Sequence, residues 1–393
     1  MSKTKDELIK VFLSRGIEQI YPSPAEFTSY LAQSQPLKIY YGIDPTGPTL
    51  HLGHLSVMLK LKILQDLGAE IIVLIGDFTA QIGDPTDKGE ARQVLTHEQV
   101  LTNCRSYKKQ IGKVLDRQKI KFVYNSRWLA KLNFSQLITI ASEFTLGQMV
   151  ERDMFQERIK AGRPVFLHEF FYPLMQGYDS VHLGVNAEIG GNDQTFNMLT
   201  GRTMQKKRGQ EKFVIATKLL VDPTGKKMGK SEGNMVTLAD EPNDVYGKVM
   251  SWPDEMIMLG FEICTEVDLT EMAKLNKQNP RDAKMVLARE IVKIIHGVNK
   301  AVRAEKYFIN TFQKRLVPDE AIEIPAQIGE LLSEVLVRAG ILSSKGEFKR
   351  LVDGGGVSFE GGENVADLYQ KIIKTTVFKI GKKKFVKVLV PEN

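Results

Sequence analysis

Cysteine is nearly absent. The 393 residues hold two, Cys104 and Cys264, far apart and with no histidine beside them. Neither a disulfide framework nor a zinc knuckle is expected from such a pair, and a reducing compartment is the default setting. Long apolar runs are missing as well: stretches such as Ile71 to Ile75 are far too short to cross a bilayer. The N-terminal Met1 to Gly16 is charged and amphipathic rather than a signal peptide, with Thr4 and Glu7 spaced as a capping box, so the expected address is cytoplasmic. There is no internal repeat, no low-complexity segment and no strong excess of one charge. A net charge of +7 with a pI near 9.0 permits a nucleic-acid partner without requiring one. On charge alone, a solvated Lys/Glu-rich surface is the simpler reading. A Walker loop is missing too: Gly225 to Ser231 reads G-x-x-x-G-K-S, one residue short of the length that rings a phosphate with N–H groups.

What is present is an alternation of strand and helix. Lys38 to Gly42 reads as a strand entering the turn-rich Asp44-Pro45-Thr46-Gly47-Pro48. A helix is expected from about Leu50 to Leu67, stopped by Gly68, and then a buried strand from Glu70 to Ile75. Strand, helix, strand in so little chain is the crossover of a parallel sheet. A charged helix is expected over Thr96 to Gln118, a strand over Ile120 to Tyr124, and mostly helix over Ser135 to Lys160. Helix resumes around Glu169 to Tyr178. Short strands are expected at Val181 to Val185 and at Lys212 to Ala216, with a turn into helix at Gly190 to Gln194 between them. From Val245 to about Leu316 the pattern is wholly helical, clearest over Asp282 to Ile295. Val317 to Pro325 reads as a linker, and the basic segment Leu331 to Asn393 as two helices, a turn at Asp353 to Gly356, and short strands.

Two motifs carry the chemistry. His51-Leu52-Gly53-His54 puts two imidazoles on one face of a first helical turn, where backbone N–H groups and the helix dipole attract anions. Gly53 lets a flat ligand approach the backbone. A metal pair is the alternative, but no further His or Cys ligands cluster in the sequence to complete a zinc site. Lys226-Lys227-Met228-Gly229-Lys230-Ser231 follows a turn at Asp222 to Gly225. Its ammonium groups repel one another and favour an anion such as polyphosphate between them; a solvated basic loop is the competing reading. Tyr172, Gln176 and Asp179 share a helix face, where a buried Asp needs a partner. Asp84 follows a strand end, where open parallel sheets bind ligands. Taken singly, these would be ordinary polar positions.

Taken together these residues resemble the class I aminoacyl-tRNA synthetases, specifically the bacterial tyrosyl-tRNA synthetases. His51 to His54 matches that family's HIGH motif with Leu for Ile, and Lys227 to Ser231 its KMSKS motif with Gly for the central Ser. The resemblance runs through the pocket segments into the tail. It implies an α/β fold: a Rossmann-like parallel-sheet catalytic domain over 1–240 with a helical insertion at about 96–165, an all-helical domain over 241–325, and a small α+β S4-like RNA-binding domain over 331–393. It implies that Tyr40 and Asp179 meet the phenol hydroxyl of L-tyrosine, and that Asp84, Tyr172 and Gln176 hold its ammonium with Gln194 nearby. Thr46 and His51 would bind the leaving pyrophosphate. Gly53, His54, Gly191 and Asp193 would serve ATP. Lys227 and Lys230 would close over the phosphates, assisted by Lys88 and Arg92. In the tail, Arg338, Lys345, Lys349, Arg350 and Lys382 to Lys384 would meet tRNA phosphates, although charge alone would equally suit a small stabilising cap.

The implied reaction has two steps: tyrosine is adenylated by ATP, accompanied by Mg2+ held mainly on its phosphates, and is then passed to the 3′ end of tRNA(Tyr). No protein metal ligand is expected. A homodimer is implied by the insertion around Phe144 to Ile159. Three rivals are weaker. A tryptophan-activating relative would not need the hydroxyl-seeking Tyr40 and Asp179. A small-molecule adenylyltransferase would not need the lysine loop and tail. A non-catalytic RNA-binding protein would not keep the charged residues of both motifs.

Overall fold

The structure, a computed structural model, describes residues 3–33, 35–84, 95–225, 235–313, 321–359, 363–381 and 384–391. The chain forms two compact units, Met1–Val298 and Asn299–Asn393.

The first unit is organised by a six-stranded sheet. Its strands are β1 (Ile17–Tyr21), β2 (Lys38–Ile43), β3 (Glu70–Ile75), β4 (Ile120–Tyr124), β5 (Ala187–Gly191) and β6 (Phe213–Thr217), in the order β1-β6-β5-β2-β3-β4. All neighbours run parallel except β1, an antiparallel edge against β6. Parallel strands are covered on both faces and read as apolar runs; Ile71 to Ile75 are all buried. Helix α1 (Leu52–Asp66) makes the crossover from β2 to β3. It ends as expected near Gly68, whose φ of 87° a side chain would disfavour. The strand order reverses between β2 and β5, so a crevice opens beyond their C-terminal ends, the usual binding position in open α/β sheets.

Three local expectations are corrected. Val181 to Val185 is not a strand: helix α2 (Phe171–Leu183) runs through it to a left-handed Gly184, and β5 starts only at Ala187. The alternation of V-H-L-G-V imitates a strand, but Leu174, Tyr178 and Val181 pack as one helical stripe in a single apolar cluster. Thr96 to Gln118 is broken into helices His97–Cys104 and Tyr107–Ile111 and a single 3-10 turn Arg117–Lys119. Gly112 ends the second of these, and a Cβ there would meet the Arg117 side chain at 2.2 Å. The third concerns the second unit, where Ile322–Pro325 is strand β7 rather than linker.

Helix α3 (Thr195–Lys206) packs along α2. Farther on, helices Pro242–Met250, Met256–Cys264, Leu269–Leu275 and Pro280–His296 also belong to the first unit. The second unit holds a four-stranded sheet, β7-β10-β9-β8, with β8 at Val357–Phe359, β9 at Thr376–Ile380 and β10 at Lys384–Leu389. Helices α4 (Leu332–Arg338) and α5 (Lys345–Asp353) supply Leu332, Val335, Leu336, Phe348 and Val352 to its core. No described helix is long and apolar enough to cross a membrane.

Candidate active site

The histidine motif builds its own cap. His51 is the N-cap of α1; its Nδ1 accepts from the Gly53 N–H (3.1 Å), while His54 Nδ1 accepts from the His51 N–H (3.1 Å). This is a capping box made of two imidazoles, with ring centroids 4.0 Å apart. Because each Nδ1 is an acceptor, each neutral ring carries its proton on Nε2. Burial pushes the His54 pKa well below the ordinary imidazole value, so that ring is neutral at pH 7.

The expectation that free N–H groups of this turn would hold an anion is corrected. The Gly53 N–H is spent on His51, that of His54 on the His51 carbonyl (2.9 Å) and that of Leu52 on the Val236 carbonyl (3.2 Å). Gly53 is required by the same device: a Cβ there would meet the His51 ring at 2.9 Å.

The partners of this segment are informative. Leu238 N–H donates to the Leu50 carbonyl (2.8 Å), and His51 bridges Thr237 in antiparallel fashion. Residues 236–238 lie a few residues beyond the lysine motif, so the fold ties the chain downstream of that motif to the start of α1. The upstream root is the expected turn: Thr224 N–H and Oγ1 both donate to Asp222 Oδ1 (2.9 and 2.6 Å), and Gly225 has φ 78°. Lys227, Lys230, Lys88 and Arg92 lie outside the described residues.

Beside α1 lies a cavity of about 780 Å³. Tyr40, Thr46, His51, Gly53, His54, Asp84, Tyr172, Gln176, Asp179, Gly191, Asp193 and Gln194 all line it, so the expected residues of both substrates that lie in described segments converge there. The fold divides their polar contacts into four groups. Asp179, 2% exposed, accepts from Trp128 Nε1 (2.7 Å) and Asn125 Nδ2 (3.1 Å). Burial raises its pKa well above the carboxylate range, while those two hydrogen bonds pull the other way. Tyr172 donates to Asp44 Oδ2 (2.8 Å), which also takes Thr79 on its other oxygen (2.7 Å). Asp84 accepts from Gln194 Nε2 (2.6 Å) and faces Arg152 Nη2 (3.3 Å), a buried guanidinium over the rings of Phe155 and Phe196. Tyr40 donates to Glu188 Oε1 (2.5 Å), which also takes Gln176 Nε2 (2.9 Å).

Tyr40 and Asp179 therefore both border the cavity, but each leans on its own support. The sequence reading missed these supports: Asp44, Asn125, Trp128, Arg152 and Glu188. One signal was available. Glu188 is an acid inside a buried parallel strand, opposite Tyr40 in register, and such a charge demands a partner.

Gly191 and Asp193 line the cavity side by side. A Cβ on Gly191 would meet Asp193 Oδ1 at 2.5 Å and Leu219 at 2.8 Å, which keeps residue 191 a glycine. Among the described residues no group of three or more His, Cys, Asp or Glu could hold a metal ion.

In the second unit, Lys349 and Arg350 stand exposed on α5. Arg338 is held by Glu330 (2.6 and 2.9 Å) and Lys345 by Glu334 (2.7 Å).

Comparison with known proteins bears on this arrangement. Residues 32–313 match the family model described as tRNA synthetases class I (W and Y). The chain is 42% identical over 408 residues to the tyrosine–tRNA ligase of Carboxydothermus hydrogenoformans, covering 98% of each. It is 44% identical over 387 residues to that of Mannheimia succiniciproducens, covering 96% of this chain and 97% of the other. Its fold resembles a C-terminally truncated mitochondrial tyrosyl-tRNA synthetase from Aspergillus nidulans (TM-score 0.64, 22% identity, 78% of this chain and 94% of that one). It also resembles a tyrosyl-tRNA synthetase complexed with L-tyrosine from Archaeoglobus fulgidus (TM-score 0.60, 23% identity, 77% and 100%).

Proposed function

The chain belongs to the class I tRNA synthetases of the W and Y group, and from that premise we infer that its cleft joins L-tyrosine to tRNA(Tyr) at the expense of ATP. It is an aminoacyl-tRNA synthetase acting as a tyrosine–tRNA ligase. The carrying observation is the tie between the histidine turn and the chain downstream of the lysine motif, beside a cavity whose floor is lined by Tyr40 and Asp179.

In the first step a tyrosine carboxylate oxygen attacks the α-phosphorus of ATP, and the bond to the bridging oxygen breaks to release pyrophosphate. In the second, the terminal ribose hydroxyl of tRNA attacks the tyrosyl carbonyl and AMP leaves with the bonding pair. The substrate is its own nucleophile, so the protein supplies position and charge. MgATP is the substrate form, the ion riding on the phosphates. Thr46 and the His51 Nε2–H serve the departing pyrophosphate, joined by Lys227 and Lys230 and assisted by Lys88 and Arg92. Gly53, His54, Gly191 and Asp193 hold the nucleoside. Asp84 takes the tyrosine ammonium with Tyr172, Gln176 and Gln194 around it, while Tyr40 and Asp179 read the phenol. A site that hydrogen-bonds a substrate hydroxyl rejects the analogue lacking it, a rule for which tyrosine-specific synthetases are themselves the standard illustration.

Residues 1–240 do this chemistry, the helices from Pro242 onward form the helical part, and 331–393, with strand β7 (Ile322–Pro325) added to their sheet, form an S4-like domain that meets tRNA through Arg338, Lys349 and Arg350. The working setting is the cytoplasm and the working form a homodimer. Support for the dimer comes from Phe134, Ile138, Leu146 and Ile159, large apolar side chains exposed within the insertion. Sedimentation as a monomer at micromolar concentration would refute it.

The deciding experiment is amino-acid-dependent exchange of pyrophosphate into ATP without tRNA. Exchange with tyrosine alone is expected. Exchange with another amino acid would retain the mechanism and overturn the roles of Tyr40 and Asp179. Asp179→Ala should lower kcat/KM for tyrosine roughly 10²-fold, the scale of a hydrogen bond lost at a buried polar group, with the ATP KM little changed. Lys349→Glu with Arg350→Glu should leave exchange intact and raise the tRNA KM about tenfold or more, since phosphate contacts dominate affinity.

A further inference from the structure

Beneath the phenol end of the cavity lies a buried ionic cluster that the reaction as described does not use. Glu188 is 2% exposed and Lys212, just before β6, is fully buried. Glu188 pairs in register with Tyr40 on β2 and with Val214 on β6, and Lys212, two residues before Val214, lies on the same face of the sheet. The Lys212 ammonium donates to Glu188 Oε2, to Ser180 Oγ (2.6 Å) and to the Met198 carbonyl (3.1 Å), so its three protons have three acceptors. Glu188 receives Lys212 and Ser180 (3.2 Å) on one oxygen, and Tyr40 (2.5 Å) and Gln176 (2.9 Å) on the other. The space is reserved for this ammonium: a Cβ on Gly201 would meet Lys212 Nζ at 2.6 Å and Ser180 Oγ at 2.7 Å.

Resting on the tyrosine-ligase reading, we propose that the Glu188–Lys212 pair positions Tyr40 and Gln176 and sets the hydrogen-bond polarity of the phenol pocket, making it a determinant of tyrosine over phenylalanine. An ionised carboxylate can only accept. While Glu188 is charged, the Tyr40 proton points to it (2.5 Å, against 3.3 Å to the Gln176 carbonyl), and the Tyr40 oxygen is left to accept, from Ser180 Oγ (3.2 Å) and from the cavity. An acceptor there rewards a ligand carrying a hydroxyl proton. Lys212 supplies the opposite charge beside this deeply buried carboxylate and fixes its Oε2. Without that partner the carboxylate is free to turn, and its Oε1 no longer holds the Tyr40 hydroxyl and the Gln176 amide in place. Both residues act through Tyr40 and Gln176 and need no contact with substrate.

The test compares three variants of the full chain, with tyrosine and phenylalanine each driving pyrophosphate exchange and circular dichroism confirming the fold. Lys212→Met should lower the Tyr/Phe ratio of kcat/KM by about tenfold or more, through the tyrosine KM, with the ATP KM unchanged. Glu188→Gln with Lys212→Met removes both charges but retains an amide oxygen for Tyr40 and Gln176, and should restore the ratio. Glu188→Leu with Lys212→Met removes both charges and the acceptor, and should lose the ratio again. The two double variants carry no buried charge, so their contrast stands even if the single variant fails to fold. Equal Tyr/Phe ratios in the two double variants would overturn the proposal, because a purely structural pair would not tell an amide from a methyl branch in this readout. Wild-type exchange with neither amino acid would instead overturn the ligase reading and this proposal with it.

Discussion

Among the described residues of the first unit two lysines are buried, and they are buried differently. Lys212 sits under the phenol pocket with a carboxylate, a hydroxyl and a carbonyl around its ammonium. Lys60, 4% exposed on α1, donates to the Phe12 carbonyl (3.0 Å) and lies over the Phe12 ring (5.5 Å). It edges a separate cavity of about 610 Å³. Its charged neighbours oppose each other, Arg15 disfavouring the ammonium and Glu262 favouring it. Burial lowers both pKa values, that of Lys60 to about 7, whereas Glu188 works against the shift at Lys212. Equal depth thus leaves one ammonium in contact with a carboxylate and the other titrating near neutrality. The difference is a formal counter-charge, because peptide dipoles alone do not replace the hydration of an ammonium.

The sharpest way to break this comparison is to remove Lys212 alone. Lys212→Met should cost about 3–5 kcal/mol in urea unfolding, since it strands a buried carboxylate. Adding Glu188→Gln should return most of that. A cost under about 1 kcal/mol would mean that the pair is not the support described. A smaller effect is expected beside Lys60. Arg15 donates to the carbonyls of Phe261, Glu262, Thr265 and Val267 and so closes the end of the helix Met256–Cys264. Arg15→Lys forfeits the planar fork and should cost about 2–3 kcal/mol by the same measurement.

The smallest effect has the opposite sign. The folded pKa of Lys60 lies below its unfolded value of 10.5. The unfolded chain therefore binds the extra proton between about pH 7 and 10.5. The penalty is fully present below pH 7, shrinks as pH rises, and is gone above 10.5. Lys60→Met should accordingly stabilise the protein by about 1–2 kcal/mol near pH 7, after allowing for the lost hydrogen bond. The advantage should fade by pH 9.5. A difference from wild type that stays constant with pH would show that Lys60 does not titrate as described.

Much of the scaffold was legible from local pattern. The strands Glu70–Ile75 and Ile120–Tyr124 stand where the apolar runs placed them, and the Thr4–Glu7 capping box is formed. Those features depend on residues near in sequence: burial on both faces reads as continuous hydrophobicity, and a cap needs only its own first turn. The false strand at Val181 to Val185 and the missed strand Ile322–Pro325 failed for the complementary reason. The first is decided by packing of α2, and the second by parallel pairing with β10 far along the chain.

The candidate site divides in the same way. The identities and spacings of His51, Gly53, His54, Tyr172, Gln176 and Asp179 belong to the sequence by itself, because motif and helix periodicity are local. Only the tertiary structure decided that the first-turn N–H groups are spent within the histidine cap and on Val236, that Asp179 is held by Asn125 and Trp128, and that Glu188 and Lys212 meet under Tyr40. In sequence, a Glu and a Lys 24 residues apart look like two solvated charges. They become one buried pair because adjacent parallel strands set Glu188 opposite Val214, two residues from Lys212 on the same face, and burial gives each charge a reason to need the other.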